Sequence, residues 1–521
     1  MPHPLVPLLH KTSSTSRLER RAMPDKFTDN ATAEAVQYSL GQPSVRTGLG
    51  GYSMKATIVA GVGFGVYLLF QLAGHAIMGL LVVLPITAIV AMMVTVKIGN
   101  RSLAENIQIR YLASKARKAR ENEYVSGAHS RVPSGRRRLP GLLARTEIVT
   151  GVDTRGAEFA AIVDKPRREI TVLLDCQLTG QLAITQAMRN DVTAEWARWL
   201  GSLSLAGDIE QAVVVVGSRP GTGQLVHKEV ESIISDDAPA IAQIILHEAA
   251  EEISIGIPED YCHIALTFKV TSEALKDDAF LHQIGTRLPT LYSSLDWAGI
   301  QAAPMVEAEV VARAHSFFNP AAEADFEELH IEGEDHNLGW KNAGPAVHRA
   351  DRSAYHHDGC VSVTWEMKEA PRSTFEDRIL TGLMAPHPRI DRKRVALVYR
   401  PYEAGSGATR VENEHRDAMV AANSSKKVTS AKAELRLEHT EAARRAQAKG
   451  AQLGRYSLFV TATMNDANDV DRVKHEVEHL AASSSVRLHV MKDQQDAAFI
   501  IASGLGQSLW GKSNTSKLAA G

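Results

Sequence analysis

Cysteine is nearly missing from this chain. Cys176, Cys262 and Cys360 are the only three in 521 residues, they lie far apart, and no CxxC pair exists. That argues against a disulfide-stapled exterior domain and fits a reducing cytoplasm. Aromatic residues are few, at 6%, and charge almost cancels to −2. The first 50 residues hold no apolar core of the length a secretory leader needs, so no cleavable signal peptide is expected. The most informative absence is local. From Ala56 to Val96 there is no Asp, Glu, Lys or Arg.

That uncharged stretch consists of two apolar runs separated by Gly74-His75. Each run is about 18–21 residues, enough for roughly 30 Å of helix, the thickness of a bilayer's hydrocarbon core. The expectation is a transmembrane helical hairpin over 56–98. Arg46 and Lys55 precede it, and Lys97, Arg101 and Arg110 follow it. Positive flanks stay cytoplasmic, so both termini and the main body are expected in the cytosol of a two-span cell-membrane protein. Gly61 and Gly65 form a small-xxx-small face suited to packing against another helix.

The rest of the chain is ordinary globular material with 23% charged residues. Residues 1–55 read as a flexible segment, and 99–145 as a basic juxtamembrane helix and linker. Arg136, Arg137 and Arg138 in that linker are candidates for lipid or partner contact, since basic runs beside a span attract anionic headgroups. Direct nucleic-acid binding is not expected of them. Two cytosolic α/β domains follow, over 146–335 and 336–508, with a flexible tail over 509–521. In the first, alternating runs flank Asp164–Arg167, Asp191 is the expected cap of a helix bearing Trp196 and Trp199, and Gln211–Gly217 is a buried strand. From Gln224 to Asp335 acids outnumber bases several-fold. In the second, strands at Cys360–Met367 and around Arg394 alternate with helices at Ser373–Gly382, Asp466–Ser483 and Gln494–Ser503. Glu412–Ala448 reads as two long exposed helices. The fold class is membrane-anchored α/β.

Four motifs look chemical and lack the context chemistry needs. His475-Glu476-Val477-Glu478-His479 matches HExxH, but both histidines point away from the stripe of Val470, Val473, Val477 and Leu480. Gly506–Ser513 matches a phosphate loop, with eight residues after it. Gly217–Gly223 follows a strand, but Pro220 favours a plain loop over a cofactor turn. His356–Cys360 reads as a turn at Asp358-Gly359. No catalytic residue, metal or cofactor is expected.

The order of features resembles a known family. The stretch Tyr38–Ser53 leading into the hairpin looks like the PrgI-type membrane proteins of conjugative elements. YHHDGCVSVTWEM, RVALVYRPYE, the Ala-rich helices and MKDQQDAAFIIASGLG resemble the amino-terminal, non-motor region of type IV secretion traffic ATPases. Gln494, Gln495, Ala498, Phe499, Leu505 and Gly506 occupy the family's Gln-Gln-x-x-Ala-Phe and Leu-Gly places. The motor domain of that family does not appear in these 521 residues. The resemblance implies a non-catalytic structural component of a DNA-transfer apparatus in actinobacterial conjugative elements. It would work in an oligomeric assembly with other subunits and dock a separate traffic ATPase, with Gln494, Gln495 and Phe499 as possible docking residues. The rival is an EccE-like subunit of a type VII secretion system, which also joins two spans to a cytosolic α/β body.

Overall fold

The computed structural model describes residues 34–38, 54–98, 101–127, 130, 139–178, 184–235, 237–254, 257–275, 278–369, 371, 374–423, 431–448 and 450–507. The apolar stretch folds as α1 (Met54–Leu72), a turn at Gly74 with positive φ, α2 (Ala76–Met78), a π-helical turn over Gly79–Val83, and α3 (Leu84–Thr95). The wide turn sits just before Pro85, whose ring cannot share a regular turn with the carbonyl four residues back. The two rods pack antiparallel. A Cβ built on Gly63 would overlap Thr87, and one on Gly79 would crowd Phe70 and Tyr67. Ala76–Thr95 is long and apolar enough to cross a membrane. The apolar part of the first rod, Thr57–Leu72, is shorter. At 1.5 Å per residue it covers only about 24 Å, so the expectation of two full-length spans is met by one helix.

A short pair, β1 (Lys97–Ile98) and β2 (Arg101–Ser102), leads into α4 (Leu103–Lys118). Ser102 caps α4 in a reciprocal capping box with Glu105. The strands that follow are β3 (Glu123–Val125), β4 (Thr146–Val152), β5 (Glu158–Asp164), β6 (Glu169–Leu178), β7 (Ile209–Pro220), β8 (Pro258–Lys269), β9 (Ile300–Pro304), β10 (Val347–Ala350), β11 (Tyr355–His357), β12 (Cys360–Glu369), β13 (Arg392–Pro401), β14 (Gly454–Met464) and β15 (Arg487–Val490). The helices among them are α5 (Gln186–Ser202), α6 (Gln224–Ile233), α7 (Ala240–Ser254), α8 (Ala279–Ser293), α9 (Glu307–Phe318), α10 (Glu323–Glu332), α11 (Thr381–Met384), α12 (Ala404–Asn423), α13 (Ala431–Ala448), α14 (Val470–Ser483) and α15 (Gln495–Ala502). Two expectations shift. The cap of α5 is Thr185, not Asp191. The helix expected over Ser373–Gly382 shrinks to the single turn α11.

Among the described residues thirteen strands form one sheet, ordered β3-β10-β11-β12-β14-β13-β7-β8-β6-β5-β4, with β15 beside β12 and β9 beside β6. Its pairings are antiparallel. The boundary expected at 335/336 lies in the coil between α10 and β10, and the strands before and after it join in one continuous sheet. Two halves of like topology build it. β4-β5-β6-α5-β7-α6-α7-β8-α8-β9-α9 is answered by β10-β11-β12-α11-β13-α12-α13-β14-α14-β15-α15. The pairings β6 to β8, β6 to β9 and β7 to β8 recur as β12 to β14, β12 to β15 and β13 to β14. The halves meet at β7 and β13, with Val215 opposite Ala396, so an approximate two-fold passes between these strands.

The core follows that symmetry. One sheet face carries Val213, Val215, Ala265, Ala396 and Phe459, covered by α9 and α15. On the other face α5 and α8 cover the first half through Trp199 and Leu288, while α14 covers the second through Val473 and Val477. Trp199 stacks on Trp196 with ring centroids 5.0 Å apart and donates to the Leu291 carbonyl at 3.0 Å.

Candidate functional site

The segment singled out at Gln494–Gly506 lies mostly inside the molecule. Gln495 is fully buried and behaves like one more rung of the sheet. Its Oε1 accepts from the Thr364 amide at 2.8 Å, and its Nε2 donates to the carbonyls of Thr364 at 3.0 Å and Met491 at 3.1 Å. Phe499 is fully buried, with its ring against Phe318, Tyr355 and His357. A buried amide and a buried ring cannot present a docking face, so Gln495 and Phe499 are corrected from contact residues to core residues. Gly506 is buried too, packed so tightly on Thr171 that a Cβ there would overlap it.

Of the three expected docking residues Gln494 alone remains partly exposed, and it belongs to a junction. Arg101, at the foot of the apolar rods, donates to the Gln494 side chain. One residue before the end of α4, Arg117 pairs with Asp493 at 2.7 Å. Asp493 is held at φ 64°, its amide donates to the Arg352 carbonyl at 2.7 Å, and its carboxylate also meets Arg352 at 3.7 Å. The loop between β15 and α15 thereby fastens the rods and α4 to the sheet. Arg117 belongs to the basic juxtamembrane helix expected over 99–145, and the structure commits it to the body. Lys115 and Arg110 stay exposed beside Ile107 and Tyr111, an apolar and cationic edge suited to a membrane interface. Arg136, Arg137 and Arg138 lie outside the described residues.

Under α15 runs a layer of buried polar groups. His357 and Ser362 are 2.8 Å apart, Ser362 and Thr463 2.7 Å, and Thr364 and Thr461 3.0 Å. A histidine beside a serine can activate a nucleophile, but both are sealed from solvent at 2% and 0% exposure. Burial pulls the imidazoles of His357 and His263 down to about 3 and that of His348 to about 4. Arg394 lies within this layer with its guanidinium over Phe317 at 4.6 Å and Phe499 at 4.3 Å. Desolvation drops it to about 10. The crevice above it is lined by Arg219, Tyr261, Glu323 and Arg392, and has about 20 Å³ of free volume. That admits roughly one water and no nucleotide.

The other motifs resolve simply. Asp358 and Gly359 form the expected turn with positive φ, and the Asp358 carboxylate accepts from the Ala346 and Val347 amides. His356 and His357 point to opposite sides, the first toward Asp351 at 2.9 Å. His475 and His479 are exposed while Val473 and Val477 are buried, as the periodicity predicts. Glu476 pairs with Arg389 at 2.7 Å. Among the described residues no group of three His, Cys, Asp or Glu is placed to hold a metal. After Gly217–Gly223 a helix, α6, does begin at once, contrary to expectation, with Gly223 in the left-handed region. Its strand β7 is antiparallel to both neighbours, unlike the parallel sheet of a dinucleotide fold. The phosphate-loop match from 508 onward lies outside the described residues.

Gly61 and Gly65 face open space rather than the second rod. The glycine that admits the second rod is Gly63, midway between them and two residues from each. Its signal was present, since Gly63 faces the same side of a helix as Tyr67 and Phe70 (four and seven residues on), but spacing alone did not say which side was covered. No family model and no curated protein matches the chain.

Proposed function

We propose that this chain is a non-catalytic inner-membrane scaffold of a conjugative, type IV secretion-like DNA-transfer apparatus. The observation that carries the membrane part is the apolar helix Ala76–Thr95, which is almost wholly uncovered by protein. Leaving so many aliphatic side chains in water would cost about 25 cal/mol per Å² of apolar surface, and a bilayer removes that cost. The first rod enters beside it. Both ends and the α/β body then lie on the cytosolic side, following the basic flanks. The junction at Arg101, Arg117, Gln494 and Asp493 supports a scaffold, because it makes the anchor and the sheet move as one piece. The conjugation assignment draws on the resemblance of the hairpin and of the region around Gln494–Gly506.

In this reading the body recruits a traffic ATPase through exposed surface, since Gln495 and Phe499 are committed to the core. Affinity purification of the tagged chain from native membranes tests it. Recovery of a traffic ATPase is the expected result. Recovery of type VII secretion subunits without one replaces the reading by the EccE-like alternative. Recovery of the chain in the soluble fraction removes the membrane part.

A further inference from the structure

Each half of the sheet carries a helical arm between its two inner strands. α6 and α7 join β7 to β8, and α12 and α13 join β13 to β14. Because β7 and β13 run antiparallel, with Ser218 opposite Lys393 and Ala212 opposite Tyr399, the arms leave from opposite ends of the central strand pair. Ten residues of strand put their roots about 30 Å apart.

The arms are alike in topology and opposite in charge. Between 224 and 257 seven Asp/Glu stand against one Lys, a balance of −6; between 404 and 449 nine Lys/Arg stand against six Asp/Glu, a balance of +3. Each arm also shows an apolar stripe. On α7, Ile241, Ile244 and Ile245 are each more than half exposed, and the stripe ends at exposed Glu248, spaced i, i+3, i+4, i+7. On α12, exposed Arg416, Met419 and Val420 fall at i, i+3, i+4, with Leu435 exposed on α13. The last turn of α7 carries no basic residue, and Glu248, Glu251 and Glu252 crowd its final two turns. Carboxylates at a helix C-terminus oppose the helix dipole. A cationic partner across the stripe would turn that penalty into attraction. The acidic rim likewise disfavours an anionic lipid surface as the occupant.

We propose that the α6–α7 arm of one molecule docks on the α12–α13 arm of the next, Ile244 and Ile245 against Met419 and Val420, with Glu248 facing Arg416. The contact is head to tail, so it builds rings or rows rather than closed pairs. It rests on the two arms alone and holds whichever secretion system the chain serves.

The test uses the full chain in detergent or nanodiscs. Two differently tagged forms, one Ile245→Cys and one Val420→Cys, are mixed and treated with a short bis-maleimide. The native cysteines are buried and do not compete. The expected product links 245 to 420 between unlike tags. Glu248→Arg and Arg416→Glu, both on exposed positions, each weaken self-association about tenfold or more, and the double reversal in one chain restores it. Circular dichroism verifies that each variant keeps its helix content. A chain that stays monomeric at all concentrations, links only 245 to 245, associates equally well with either single reversal, or captures a foreign basic helix at Ile245 without any 245–420 link overturns the proposal.

Discussion

Acid should unfold the α/β body, and the reason is three buried imidazoles. His263 and His357 titrate at about 3 and His348 at about 4, each pulled down first by desolvation. In the unfolded chain they titrate near 6.5. The unfolded state therefore binds more protons below pH 6.5, and stability falls as pH falls, down to the folded values. Over the 1.5 pH units from 6.5 to 5, at about 1.36 kcal/mol per unit, each histidine removes about 2 kcal/mol. Glu169 acts the other way. Burial raises it to about 7, so the folded state takes its proton first and regains between 2 and 3 kcal/mol from pH 7 to 5. The three histidines outweigh it, so these four groups together remove about 3 kcal/mol, against a total that is ordinarily about 5–15. Urea unfolding of the detergent-solubilised chain at pH 7.5, 6 and 5 measures this. The decisive variant is His263→Gln, whose amide can still reach the Ser503 carbonyl that His263 Nε2 meets at 3.1 Å. Its stability should fall less steeply than wild type, by about 1.4 kcal/mol per pH unit below 6. Equal slopes for the two proteins would refute the reasoning.

Other substitutions separate the packed from the open positions. Gln495→Leu leaves the Thr364 amide unpaired in the core, while the Thr364 carbonyl keeps the Met491 amide at 3.0 Å, and should cost about 1–3 kcal/mol, read as a lowered urea midpoint. Arg394→Met replaces a desolvated charge with an apolar chain of similar size and should be neutral or mildly stabilising, whereas Arg394→Ala opens a cavity and should lose about 2–4 kcal/mol. Gly63→Leu should separate the two rods, seen as lost cross-linking between cysteines placed on them. Gly61→Leu with Gly65→Leu should leave the rods together and reduce assembly with other subunits. Arg117→Ala should speed hydrogen exchange in α4, with a double-mutant coupling to Asp493→Asn of about 1 kcal/mol, since Arg117 is a third exposed.

Most elements were legible in the sequence because their patterns are local. The Gln211–Gly217 strand, the helix at Asp466–Ser483 and the turn at Asp358-Gly359 all fell within a few residues of their observed places. α11 was overestimated because Ser373–Gly382 has helical composition but only Leu383 of the turn that forms reaches the core. The duplicated topology was invisible, since it resides in which strands pair, and α5 of 17 residues answers to α11 of four. The pairing of β7 with β13 joins residues about 180 positions apart, which no periodicity reports. Gln495 and Phe499 were misjudged for a related reason. A glutamine reads as surface until the sheet rung it completes is seen, and the phenylalanine is covered by Phe318 and Tyr355 from distant segments. Arg117 likewise reads as one more cation of the basic juxtamembrane helix until its partner Asp493 comes into view.

The β7–β13 seam has a consequence for how the chain is made. Until β13 emerges from the ribosome, β7 is the last strand of a half-built sheet, and its outer edge reads Ala-Val-Val-Val-Val without a charge. An apolar, unpaired edge of that kind recruits whatever strand it meets first. At 5–20 residues per second the wait for the missing 180 residues is roughly 10–40 s. A nascent molecule is thus exposed longest at the one ladder that will later unite its halves. Premature stops or pauses between residues 221 and 391 should yield aggregates seeded by β7, and a charged replacement at Val214 should keep such fragments soluble while weakening the finished protein.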